Sequence, residues 1–241
     1  MKQFIKDYQK RLTIKKTISL DGENMQLRSE CRGLLDIKIV CQGKTGHSAN
    51  PRNGLSTVMA FNEIINRLQS EIKKQFEPGL GCCSMNVAYL RAGLLLKQIG
   101  NKIVLGKNGN SLPDYLEAVC EFRTVDQRQN QALQLKLKQL IKKAGLKLIS
   151  YQTRHKLPPW TSEREKWQDF QKVIINQRTA IQYADASKSG FVDIAFIANT
   201  FKCPCICIGP VGGNGHGANE WVDISSLEKL EQILKEYLSK S

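Results

Sequence analysis

From Gly33 to Thr153 the chain switches repeatedly between two hydrophobic periods, and that switching restricts the available folds more than any other feature. GLLDIKIVCQG (33–43) alternates and is rich in β-formers, the pattern of a strand with one face in a core. After Pro51, NGLSTVMAFNEIINRLQSEIKKQF sets Val58, Phe61, Ile64, Ile65, Leu68 and Ile72 at helical spacing until Pro78–Gly79 breaks it. CCSMNVAYLRAG (82–93) and YLEAVCEFRTV (115–125) read as two further strands, divided by the loop-rich KNGNSLPD (107–114), and KIVLG (102–106) is expected to extend the second of them. A second amphipathic helix is predicted from about 127 to 144, with Leu133, Leu137, Leu140 and Ile141 on one stripe. Gly145 ends it, and LKLISYQT (146–153) is a last strand. The order β-α-β-β-α-β is that of the split βαβ, ferredoxin-like module, one sheet with two helices on a single face.

The flanks follow another pattern. Residues 1–16 read as a basic helix, and TISLDGEN (17–24) as a short strand running into a turn. Beyond Leu157-Pro158-Pro159-Trp160 the chain predicts a helix near 163–177, a turn at 184–190, a helix near 191–200, a buried strand at 203–208 and a final helix at 225–239. This is an α/β layered order. It holds too few strands for a complete sheet, so residues 158–241 are expected to form part of something larger.

Composition excludes several classes. At 241 residues, 41% hydrophobic and 24% charged, the chain is ordinary globular material. It has no apolar run approaching the roughly 18–20 residues of a membrane span, and MKQFIKDYQKRLTIKK lacks the apolar core of a signal peptide, so cytoplasmic residence and no membrane partner are expected. Eight cysteines include no CxxC pair, and Cys203, Cys205 and Cys207 alternate like small apolar side chains of one strand face. Buried free thiols are therefore expected instead of a disulfide framework or zinc knuckle. The net charge of +14 comes from scattered lysines, such as Lys2, Lys6, Lys10, Lys136, Lys138 and Lys142, on apparent solvated helix faces. No nucleic-acid motif accompanies them, so specific nucleic-acid binding is not expected, and loose affinity for polyanions is.

Three stretches carry candidate chemistry. GPVGGNGHGANEW (209–221) crowds four glycines around His216, with Glu220 and Trp221 close behind. Glycine is costly to order, so the segment is either a loose turn or a backbone shaped to place an imidazole. In SLDGEN, Asp21 and Glu23 stand at a strand end, and imidazole with carboxylate is an ordinary zinc ligand set. Glycines after a buried strand would present His216 at its C-terminal end, where open α/β sheets place their sites. GKTGHSANPRNG (43–54) puts His47 at a strand-to-helix join, where it could bind an anion or a carbonyl oxygen, or be a loop histidine without a role. His155, beside Arg154 and Lys156, reads as a linker residue without one.

These segments together resemble the acetylornithine deacetylase, succinyl-diaminopimelate desuccinylase, glutamate carboxypeptidase and aminoacylase family of zinc hydrolases. QGKTGHSANPRNG resembles its QG-x-x-x-H-S-x-x-P-x-x-G segment, NGNSLPDYLEAVCEFRT (108–124) its N-x-(I/L)-P-D…(D/E)-x-R segment, and CPCICIGPVGGNGHGANEWVDISSL (203–227) its C-terminal metal-site signature. The resemblance covers almost the whole chain in order. It implies an α+β, α/β architecture: an N-terminal segment of the catalytic domain (1–32), a ferredoxin-like βαββαβ lid or dimerisation domain (33–153), and a C-terminal part of an α/β zinc-hydrolase catalytic domain (154–241). It also implies His216 and Asp21 as metal ligands, with Glu23 the alternative to Asp21. His47 is implied as the lid histidine that polarises the scissile carbonyl in the partner's site of a homodimer, and Asn110 and Arg123 as the grip on a substrate carboxylate.

The chain also departs from the family's pattern. The family's H-x-D segment, bridging aspartate and Glu–Glu pair precede the position of Asp21, and the twenty residues before it hold neither a histidine nor a Glu–Glu pair. Phe191 and Val192 stand where small polar residues are usual. The family's water is activated by two zincs about 3.5–4 Å apart with a carboxylate taking the proton. Asp21 and His216 supply at most one ligand to each, so this chain alone is expected to bind one zinc weakly or none. The expected function is the C-terminal portion of an amidohydrolase acting on N-acyl amino acids or peptide-like amides, inactive by itself, with a separate N-terminal half as a partner. The alternative is a non-catalytic, dimerising remnant or regulatory lid.

Overall fold

The computed structural model describes residues 1–241 except Asn101, Ser189, His216 and Ser241. Along the chain run α1 (Lys2–Tyr8), β1 (Thr17–Ser19), β2 (Gly33–Gln42), α2 (Thr57–Ile72), β3 (Ser84–Ile99), β4 (Lys102–Gly106), β5 (Tyr115–Thr124), α3 (Gln129–Lys143) and β6 (Lys147–Leu157). They are followed by α4 (Gln168–Asn176), α5 (Ile194–Phe201), β7 (Cys205–Cys207), β8 (Gly212–Gly213), β9 (Trp221–Val222) and α6 (Ile224–Ser239). The chain divides into two units, one of residues 33–77 and 81–158, the other of residues 1–32, 78–80 and 159–241.

In the first unit the strands form one antiparallel sheet of order β4-β3-β5-β2-β6. Placing β2 between β5 and β6 is the ferredoxin-like arrangement. Alternation decides which face is covered: Leu35, Ile37 and Ile39 of β2 and Leu116, Cys120 and Phe122 of β5 are all 0% exposed. The apolar stripes of α2 (Phe61, Ile64, Leu68) and α3 (Leu133, Leu137, Leu140) bury against the sheet. Asn130 of α3 is buried with both ends of its amide satisfied. Its Oδ1 accepts from the Thr124 hydroxyl at 3.2 Å and its Nδ2 donates to the Leu157 carbonyl at 2.8 Å.

KIVLG does not extend β5. It forms β4, which folds back on β3 with Leu94 opposite Gly106 and Ile99 opposite Lys102. The reversal is made at Gly100, whose φ of +54° suits a residue without a Cβ. β3 is drawn out to Ile99 as a result. β6 likewise continues to Leu157, so His155 is a strand residue opposite Asp36 and not part of a linker.

In the second unit β1 and β7 run parallel, Thr17 beside Cys205 and Ser19 beside Cys207. Alternation along residues 205–208 again separates two layers. Ile206 and Ile208 join Trp167, Phe170, Val173, Leu230 and Ile233 of the α4 and α6 side. Cys205 and Cys207 face Cys31, Trp160, Val192 and Ala195, so small side chains fill the layer against α5. Val192 is therefore a core residue, 4% exposed. None of the eight cysteines is in a disulfide, and burial pushes the Cys120 thiol up to about 12 and Cys41 to about 11. The first helix stops at Tyr8, short of the basic stretch Lys10, Arg11, Lys15 and Lys16, whose like charges would stack on a continued helix. No helix among the described residues is long and apolar enough to cross a membrane.

Asp223 starts α6 by accepting the backbone N–H groups of Ser225 and Ser226 at 3.3 and 3.1 Å. The Ser225 hydroxyl, at 2.7 Å, is the main cause holding its carboxyl below the usual carboxylate value. A folded value below the unfolded one means stability that is present above the ordinary carboxylate range and lost as pH falls through the lowered value. Asp223→Ala is expected to lower the melting temperature at neutral pH. Thermal melts at descending pH should show the gap between variant and parent closing through the carboxylate range.

Candidate active site

The glycine-rich segment and the SLDGEN turn meet at the carboxyl ends of the parallel pair β1–β7. Asp21 and Glu23 follow β1, and the backbone of Gly22 lies directly on Ile208 and Gly209, where a Cβ on Gly22 would come within 2.5 Å of the Ile208 carbonyl carbon. The N–H groups of Asn24 and Met25 donate to the carbonyls of Pro210 and Gly209, each at 2.9 Å. To make that turn, Asn24 and Met25 both adopt left-handed backbone, φ 56° and 54°. For a methionine this is strained, and such strain gathers at functional turns.

After Pro210 the chain forms a hairpin of β8 and β9, Gly212 opposite Val222 and Gly213 opposite Trp221. Here glycine is needed for close approach. A Cβ on Gly213 would sit 2.7 Å from the Trp221 indole nitrogen, and one on Gly212 2.7 Å from the Trp221 carbonyl oxygen. The connecting segment, residues 214–220, contains His216, which lies outside the described residues.

The two candidate carboxylates differ in their surroundings. Glu23 is paired with Arg28, Oε1 to a terminal guanidinium nitrogen at 3.4 Å. Arg28 itself is only 5% exposed and also donates to the Gly190 carbonyl at 3.4 Å. Asp21 has its N–H held by the Ser19 hydroxyl at 3.3 Å and an exposed carboxylate with no ion pair among the described residues. Burial raises the neighbouring Cys207 thiol to about 11 against the opposing effects of Arg28 and Ser19, with the charge of Asp21 a smaller contribution to the rise, so that thiol stays protonated at neutral pH. Arg28 carries no signal in the sequence; its backbone pairs with Cys207 and its side chain is buried.

The described residues do not fit a hydrolytic metal centre by themselves. No three of their His, Cys, Asp and Glu side chains gather to hold an ion, and Glu23 is engaged by a buried cation. A catalytic zinc takes three protein ligands.

In the first unit, the loop after β2 is laced to the loop before β5. Gly43 N–H donates to Asp114 at 2.8 Å, Leu112 N–H to Gly46 at 2.8 Å, and Ser48 N–H to Asn110 at 2.9 Å. His47 and Asn110 are thereby neighbours at one end of the sheet, both exposed. The Ala49 N–H donates to His47 Nδ1 at 3.1 Å. The neutral ring in this arrangement carries its proton on Nε2, which is the nitrogen left to donate to a ligand oxygen.

Arg123 is not with them. It lies eight positions along β5 from Tyr115, on the order of 25 Å at about 3.4 Å per residue, with Nε 3.0 Å from Glu121 Oε1. A joint grip by Asn110 and Arg123 of one copy on one carboxylate is thus geometrically closed. The motif spacing concealed this because the intervening residues are an extended strand.

Comparison with known proteins adds three findings. Residues 29–148 match the family described as peptidase dimerisation domain. The chain is 25% identical over 217 residues to a succinyl-diaminopimelate desuccinylase of Wolbachia sp. subsp. Brugia malayi (strain TRS), covering 86% of this chain and 48% of that one. Its fold is similar to a tripeptidase of Staphylococcus aureus (TM-score 0.75, 17% identity, 95% of this chain and 58% of that one) and to the aminopeptidase PepT of Bacillus cereus (TM-score 0.70, 15% identity, 94% and 57%). The chain spans about half the length of the curated relatives it matches.

Proposed function

We propose, from the premise that this chain belongs to the peptidase and amidohydrolase family whose dimerisation domain occupies its residues 29–148, that it is the lid-bearing part of a cytoplasmic hydrolase of N-acyl amino acids or peptide-like amides. The observation that carries the reading is the laced loop pair that makes His47 and Asn110 neighbours, with Nδ1 of the exposed His47 already accepting the Ala49 N–H. An exposed imidazole N–H is suited to polarising an amide carbonyl, and the adjacent Asn110 amide to holding the substrate beside it.

In a homodimer formed through the first unit, His47 and Asn110 act on substrate in the partner's site, while Arg123 binds the substrate carboxylate in its own copy. The separation along β5 supports that division. Zinc is the proposed ion. Asp21 and His216 are the donors this chain offers it, Asp21 being preferred because Glu23 is spent on Arg28. Further donors have to come from beyond the described set, and these 241 residues alone turn nothing over.

Substrate binding tests the reading without requiring catalysis. Sedimentation should give a dimer, and calorimetry should detect binding of N-succinyl or N-acetyl amino acids. Arg123→Ala should weaken it about tenfold or more, as loss of a charge-assisted hydrogen bond does. A monomer that binds no acylated amino acid, or a lone chain that hydrolyses them with added zinc, would contradict the proposal.

A further inference from the structure

We infer that Cys203 and Cys205 form a reversible redox site, a thiol pair that closes to a disulfide by exchange with a small-molecule disulfide of the glutathione class. The site lies outside the hydrolytic reading and does not depend on it. The two sulfurs are 3.8 Å apart, and the Cys205 thiol also donates to the Cys203 carbonyl at 3.4 Å. Pro204 between them has its own φ fixed by its ring and biases Cys203 to extended backbone. Two extended residues set their Cα atoms about 6.5 Å apart, inside the range of about 4.4–6.8 Å that a disulfide spans. Closure therefore asks mainly for side-chain rotation, which brings the sulfurs from contact to the bond length of about 2 Å.

The two thiols differ in access. Cys203 is half-buried just before β7, and its Sγ lies 3.6 Å from the Thr17 hydroxyl, which can donate to a thiolate there. Cys205 is 0% exposed, in the layer of Cys31, Trp160, Val192 and Ala195. Burial, and then the neighbouring Cys203, hold the Cys205 thiol above its ordinary value, which makes it a poor first nucleophile. Cys203 attacks first. It gives its proton to solvent and bonds to one sulfur of glutathione disulfide, whose S–S bond breaks to release one glutathione thiolate. Cys205 Sγ then bonds to Cys203 Sγ, the bond from Cys203 to glutathione breaks, and the second glutathione leaves with the proton that Cys205 gives up. Two protein thiols are oxidised and one glutathione disulfide is reduced to two thiols. In reducing compartments such pairs are transient and redox-sensing.

The full chain carrying Cys82→Ser, which removes the exposed cysteine, would be incubated with glutathione disulfide at neutral pH, alkylated and digested with trypsin. Cleavage after Lys202 leaves Cys203, Cys205 and Cys207 on one peptide for mass spectrometry. The expected product is that peptide with a Cys203–Cys205 bond, lighter by two hydrogens and alkylated on Cys207 alone, and dithiothreitol restores three alkylated cysteines. Adding Cys203→Ser should reduce the oxidised peptide at least tenfold. Adding Cys205→Ala, which keeps a small apolar side chain in the layer, should instead trap glutathione on Cys203. Cys203 stands outside any helix or strand, and an unchanged melting temperature confirms that its variant folds, so the inference stays testable even if Cys205→Ala does not fold. A peptide that stays reduced, a bond from either cysteine to Cys207 or Cys31, or glutathione that remains on Cys203 with Cys205 intact overturns the inference.

Discussion

Gly209→Ala is expected to destabilise the second unit by the upper end of the roughly 1–3 kcal/mol typical of overpacking, or more. An alanine Cβ there would lie 2.0 Å from the Gly22 carbonyl oxygen and 2.3 Å from its carbon. Neither atom is the end of a flexible side chain that could swing away. Relief requires moving the turn that carries Asp21, already held by the Asn24 and Met25 bonds to Pro210 and Gly209. All three tryptophans of the chain, Trp160, Trp167 and Trp221, belong to this unit, so urea titration followed by tryptophan emission reads its unfolding. Gly215→Ala is the control. Its Cβ would meet nothing nearer than Glu220 Oε1 at 3.9 Å, and a shift as large as that of Gly209→Ala would refute the contact argument.

Trp167→Ala is expected to cost about 3–5 kcal/mol, the range for emptying a large buried aromatic site. The side chain is 0% exposed, meets Phe170 edge-on at 6.2 Å between ring centres, and donates its indole N–H to Ser162 at 3.3 Å. Domains commonly have 5–15 kcal/mol in all, so this loss takes a large share. Trp167→Phe retains an aromatic ring and should recover most of the stability. If alanine and phenylalanine lowered the urea midpoint equally, the hydrogen bond to Ser162 and not the packing would be the larger contribution.

The first unit was legible because its signals are local. Leu35, Ile37 and Ile39 alternate within one strand, and Phe61, Ile64 and Leu68 recur within one helix, so each element declares its buried face before it meets any partner. The alternating cysteines were legible for the same reason, and Cys205 and Cys207 do fill one layer as small apolar groups. KIVLG pairs with β3 and does not extend β5, because a five-residue strand carries no mark of which neighbour it will pair with. The reversal at Gly100 decided for β3.

The site was legible in its residue types and not in its geometry. Glycines around residue 216 suggested a shaped backbone, and Gly212 and Gly213 indeed allow the hairpin to close on Trp221. Yet the contact of Gly22 with Gly209 and the pairing of Arg28 with Cys207 join positions far apart in the chain, and the buried Arg28 then engages Glu23. The distance between Asn110 and Arg123 is likewise set by an extended strand, which a motif written as letters does not measure. What the sequence by itself determined is the order of elements and the face each one buries, since propensity and periodicity act within a few residues. Which segments touch at the ends of β1 and β7, and which carboxylate Arg28 engages, only the tertiary structure decided, because those contacts depend on packing that periodicity does not describe.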